Sequence, residues 1–175
     1  MDTIWPAEDD DSILIREVYA RYGLAMYMAQ VLEHAMVNAL LIIKFLPTRV
    51  SHIDSSSWES SFDLFYTNEF EKTFGNILRT LQKTNFLPDT VINKISSAKI
   101  IRDELAHKFF RENATNFLLE SGRIKMITYC EDASKKFREA DEALEEFCQP
   151  YRVKYGMSDE WVQEKFEEMV SENGD

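Results

Sequence analysis

Cysteine, histidine, glycine and proline are all scarce in this chain: two, three, five and four in 175 residues. Each shortage closes a route. Cys130 and Cys148 lie 18 positions apart; on one continuous helix, at about 1.5 Å per residue, that is roughly 27 Å, far beyond the ~7 Å Cα limit of a disulfide. Both are therefore expected as free thiols. Two cysteines and three scattered histidines offer no zinc-ligand cluster. The few glycines form neither a phosphate-binding loop nor a Gly-x-Ser-x-Gly elbow, so no metal and no cofactor is expected. Long apolar runs are missing too: residues 35–46 are too short to span a bilayer and contain Asn38 and Lys44. The N-terminus lacks the basic and apolar regions of an export signal and carries Asp9-Asp10-Asp11. A cytoplasmic protein that does not enter the membrane is the expectation. No strand alternation and no internal repeat can be found.

What is present is enough for a core. The chain is 45% apolar and 13% aromatic, which at this length supports one helical domain spanning 1–175 without staples. Its net charge of −11 is confined to the ends: residues 1–17 hold six acids and one base, residues 158–175 seven acids and one base, and the body between is neutral. Acidic ends on a neutral body neither advertise a nucleic-acid surface nor exclude a small local one.

Breakers divide the sequence into helices over about 12–46, 62–83, 88–111, 121–151 and 158–171, an all-α, up-down bundle of four to five helices. Leu14, Val18, Tyr22, Ala25, Ala29, Leu32, Met36, Ala39, Ile43 and Leu46 make one face of the first. Residues 48–61, with six serines, His52, Asp54 and Trp58, show no period and read as a surface loop with Trp58 tucked down. In the second helix Gly75 weakens the middle and is a place to split it. Pro88 suits the first turn of the third. From Ser121 as N-cap, the seam Met126, Cys130, Ala133, Phe137, Ala140, Leu144, Phe147, Tyr151 marks a long bundle helix. Ser158 caps the last, with Asp159 and Glu160 in its first turn.

The chemistry concentrates near the end of the third helix. Along the stripe Val91, Ile95, Ala98, Leu105, Phe109, the position that calls for another aliphatic side chain holds Arg102. A guanidinium there needs a partner or a solvated cleft. Asp103, His107 and Arg111 follow at i, i+4 spacing, so Asp103 can reach His107, orient its ring and favour its protonated form. Arg102 and His107, five residues apart, lie about 140° apart round an ideal helix. They converge only if the helix loosens or a second copy faces them. Residues 94–111 carry five bases (Lys94, Lys99, Arg102, Lys108, Arg111) against two acids, a modest positive excess for RNA. His34 and Asn38, at i, i+4 on the first helix, could add polar groups to a cleft near His107 or satisfy one another.

The run Arg102-Asp103-Glu104-Leu105-Ala106-His107, late in a long helix of a helical bundle, resembles the Arg-x4-6-His motif of the HEPN (higher eukaryotes and prokaryotes nucleotide-binding) superfamily. The resemblance covers 102–107 closely, with Asp103 where Asn is commonest, and the layout of 12–150 loosely. It implies a homodimer that brings two Arg/His pairs into one cleft and, in many members, metal-independent cleavage of RNA. His107 would then be the general acid or base on the ribose 2′-hydroxyl and the leaving oxygen, and Arg102 would bind the scissile phosphate. A Tyr stands two places after the His in the toxin subgroup; Phe109 occupies that place here.

Competing readings start from the same residues. Glu104-Leu105-Ala106-His107 is also a Glu-x-x-His, but a di-iron site needs a second such pair, and neither His34 nor His52 has one. Arg102 could instead be bridged internally to Glu33, which stands among apolar neighbours beside Gln30. The protein would then be a non-catalytic interaction or nucleotide-binding module with RNA, a nucleotide or another protein as its partner.

Overall fold

The computed structural model describes residues 10–49 and 55–173, which form helices and short connections with no strand among them. His52 and Asp54 lie outside the described residues. The elements are α1 Asp10–Leu40, a π-helical turn Leu41–Phe45, α2 Leu46–Arg49, α3 Ser55–Phe70, α4 Phe74–Thr84, α5 Asp89–His107, α6 Phe109–Glu112, α7 Ala114–Leu118, α8 Glu120–Lys154 and α9 Asp159–Asn173.

Two long helices form the axis. Arg123 of α8 bonds Asp11 of α1, and Arg21 of α1 lies 3.5 Å from Glu131 of α8. Equivalent points thus advance together, and α1 and α8 run parallel. Against them α5 runs the other way, since Lys94 reaches the Glu139 carbonyl while Glu104 meets Tyr129. Val18, Ala25, Ala29, Leu32 and Met36 from α1 fill the space between, with Ile95 and Leu105 from α5 and Met126, Phe137 and Leu144 from α8. Burying each such Leu, Ile, Phe or Met side chain contributes about 1.5–3 kcal/mol in transfer free energy.

The first helix passes its expected end at 46. The π-turn leaves Leu46 N–H donating to Leu41, one residue beyond the usual reach. Widening the helix immediately before Pro47 relieves the clash of its ring with the carbonyl four residues back. It also turns Leu40, Leu41, Ile42 and Phe45 inward, leaving Ile43 only half-buried. By length and composition the run Asp10–Thr48 could cross a membrane, unlike 35–46 taken alone, and 56% of its most apolar stretch is buried inside the protein.

The loop expected over 48–61 is helical from Ser55 onward. Trp58, Phe62, Tyr66 and Phe70 are spaced by four, and their rings touch in succession, with centroids 5.4, 5.6 and 4.5 Å apart. That ladder carries the helix back through the serines and places Trp58 against Phe45, tucked down as expected. The break anticipated near Gly75 falls at 71–73, with Thr73 extended before α4. Gly75 has a different use: a Cβ there would sit 2.9 Å from Lys99 Cε.

The other boundaries also move. Pro88 precedes α5 as its extended N-cap. Ser121 does not cap α8, which begins at Glu120 after an extended Leu119 with no side-chain cap. The seam of α8 is buried from Met126 to Leu144, as expected, while Tyr151 is exposed and Cys148 buried in its stead. Ser158 does cap α9, its Oγ accepting from Trp161 N–H at 3.2 Å.

Candidate functional site

The end of α5 differs most from expectation, because the helix stops at His107 instead of running to 111. Lys108 leaves helical geometry at φ −129°, although its N–H still donates to Glu104 at 2.9 Å. The turn swings Phe109 into the core between Tyr22 of α1 and Tyr129 of α8, at centroid distances of 5.4 and 5.9 Å. Tyr22 also donates its hydroxyl to the Leu105 carbonyl at 3.4 Å, serving one of the carbonyls the helix end leaves open. The break at Lys108 thus falls directly before a buried aromatic ring. Arg111 falls on α6, out of line with Asp103 and His107, and lies exposed 3.6 Å from Glu112.

Within α5 the helix is continuous from Arg102 to His107, so their side chains leave on faces about 140° apart. Arg102 is half-buried. Its Nη1 donates to Asp103 Oδ1 at 3.3 Å, while Lys99 Nζ holds Oδ2 at 2.5 Å. The Lys99 hydrogen bond is the main reason the Asp103 carboxyl lies below its usual range; burial opposes it, and Arg102 adds to it. Asp103 is thus held by Lys99 and Arg102, and among the described residues it makes no hydrogen bond or ion pair with His107. Among the described residues His107 is exposed and its ring makes no hydrogen bond or ion pair.

Nor is Arg102 bridged to Glu33, since no ion pair joins them among the described residues. Glu33 still feels it: burial raises the Glu33 carboxyl, and the fields of Arg102 and then His34 pull it down. The next-door carboxylate on α5 reaches the guanidinium without the ordering that a contact across helices demands.

His34 and Asn38 are exposed and face a different place. With Gln30, Asp141 and Glu145 they line a groove of about 460 Å³ between α1 and α8, floored partly by Cys148. Neither Arg102 nor His107 borders it. The His34 ring packs on Phe70 at 4.5 Å and not on Asn38. Burial and the neighbouring Glu145 and Glu142 raise the Asp141 carboxyl.

A second groove, about 330 Å³, opens where α5 gives way to α6 and meets α8; Lys108, Lys125, Tyr129, Glu104 and Glu112 border it. Tyr129 donates to Glu104 Oε2 at 2.7 Å, and burial first, then this bond, pushes its hydroxyl pKa upward. Lys108 was visible in the sequence as a base beside the motif. Lys125 and Tyr129 were not, because nothing in their spacing points at a helix 25 residues earlier.

No three or more His, Cys, Asp or Glu side chains among the described residues are arranged to hold a metal ion. Cys130 and Cys148 are buried free thiols, each pushed up to about 12, by burial foremost and by Glu131 and Glu145 respectively. Fold and site define an all-helical protein with a cationic and imidazole-bearing helix end. No protein-family model, curated protein or solved structure gives a significant match to the chain.

Proposed function

We propose that this chain is a HEPN-like helical protein that pairs with a second copy to make a metal-independent endoribonuclease from Arg102 and His107. The supporting observation is that the motif residues stay available: half-buried Arg102 is tied to Asp103 on α5 and not to Glu33, and among the described residues exposed His107 has no hydrogen bond or ion pair. On α5 the two diverge, so one copy presents half a site, and a facing copy supplies the complement. In the joint cleft, His107 takes the proton of the ribose 2′-hydroxyl as its oxygen attacks the adjacent phosphorus. The second His107 returns a proton to the departing 5′ oxygen, and Arg102 neutralises charge building on the phosphoryl oxygens.

The test is cleavage of single-stranded RNA in EDTA by protein sedimenting as a dimer, lost in both Arg102→Ala and His107→Ala. Intact RNA in the presence of nuclease-free wild-type protein would overturn the assignment. A second reading starts from the partly buried position of Arg102 beside α1, where its field lowers the Glu33 carboxyl that burial raises. In a non-catalytic interaction or nucleotide-binding module this coupling is the residue's purpose, and Arg102→Ala then costs stability and not activity.

A further inference from the structure

We propose that the groove where α5, α6 and α8 meet is a nucleotide subsite, in which the Tyr129 ring stacks on a base of single-stranded RNA while Lys108 and Lys125 hold neighbouring phosphates. The choice of ligand class rests on the ribonuclease reading; the groove's chemistry stands by itself. At about 330 Å³ it has the size of a small-molecule site. Two carboxylates share the groove with the lysines: Glu104 accepts from the Tyr129 hydroxyl at 2.7 Å and keeps its charge, and exposed Glu112 lies 3.6 Å from Arg111. Among the described residues neither Lys108 nor Lys125 has a side-chain hydrogen bond or ion pair, and both are exposed, so both ammonium groups are open to a phosphate.

Tyr129 provides the platform. One side of its ring lies on buried Phe109, with planes 24° apart, and its hydroxyl is fixed by Glu104, yet the residue is 37% exposed. A ring held at its back and its tip can receive a base with little ordering cost, and every base has a face to stack. Lys108 directly follows His107 in the chain, although His107 and Arg102 are not among the residues that line the groove.

A labelled, fully 2′-O-methylated RNA octamer, which has no free 2′-hydroxyl to react, reads binding to the full chain without turnover, and adenosine monophosphate reads the subsite alone. Tyr129→Ala should weaken both by about tenfold or more, while Tyr129→Phe, which keeps the ring, should stay within about twofold. Lys125→Ala should weaken the octamer and lower its log–log salt slope by about 0.7. Equal binding by wild type and Tyr129→Ala, or equal losses in the Ala and Phe variants, overturns the subsite. If Tyr129→Ala does not fold, as judged by circular dichroism, an unchanged salt slope in Lys125→Ala overturns it. Octamer binding that obeys these rules in a protein that cleaves no RNA removes the nuclease and keeps the subsite. Cleavage indifferent to Lys125→Ala and Tyr129→Phe, with Tyr129→Ala binding intact, does the reverse.

Discussion

Arg102 donates to Asp103, the next residue along α5, with Nη1 3.3 Å from Oδ1. A contact between sequence neighbours on one helix organises the surface of that helix and ties nothing else to it. The bonds that join α5 to the rest of the bundle at this end come from Tyr22, which reaches the Leu105 carbonyl, and from Tyr129, which reaches Glu104.

Arg102→Ala should therefore lower stability by no more than about 1 kcal/mol, because the pair is solvent-screened, with side chains 27% and 37% exposed. Urea denaturation of wild type and variant measures it. A loss of several kcal/mol would mark Arg102 as a buried structural cation and favour the non-catalytic reading.

Glu33 gives a pH readout of the same guanidinium. Its folded pKa lies above the ordinary 4.5 through burial, with Arg102 and then His34 opposing. The stability it lends is thus complete below the unfolded pKa and is lost as pH rises through the folded one. Arg102→Met removes the larger lowering influence, so the Glu33 pKa should climb further and the loss should move to higher pH. Carboxyl-carbon NMR titration follows this directly, and a downward move would contradict the placement of Arg102 near Glu33.

Two glycines should respond oppositely to alanine. At Gly122 a Cβ would lie 2.1 Å from the Asn116 carbonyl oxygen, where α7 presses on the first turn of α8. Backbone must move, at a cost of about 1–3 kcal/mol. A Cβ at exposed Gly23, inside α1, meets nothing within 4 Å, and Gly23→Ala should gain about 0.5–1 kcal/mol. Thermal melts of the two variants should bracket wild type.

The thiols should be silent in the native state. Burial pushes Cys130 and Cys148 up to about 12, so a thiol reagent at pH 8 should titrate neither until denaturant exposes both. Fast native labelling of either would show that α8 opens locally.

The helices were legible because their cores repeat at three and four, and the seam of α8 from Met126 to Leu144 could be followed residue by residue. The ladder Trp58, Phe62, Tyr66, Phe70 is equally regular, but the serines around Trp58 carry turn propensity that masks its first rung. Arg102 and His107 were visible as chemistry out of place. Their partners were not, since Asp103 had Lys99, Arg102 and His107 all within reach by spacing, and spacing does not rank them.

Sequence alone determined an all-helical chain with acidic ends, two unbridged cysteines and one Arg-x4-His run. Only tertiary structure decided that α5 stops at His107, that Asp103 serves Lys99 and Arg102, and that Lys108, Lys125 and Tyr129 border one groove. The reason is physical: helical periodicity is written in the local order of apolar side chains. What meets at the end of α5 is set instead by tertiary contacts: Phe109 is buried between Tyr22 and Tyr129, two rings that distant parts of the chain bring to it.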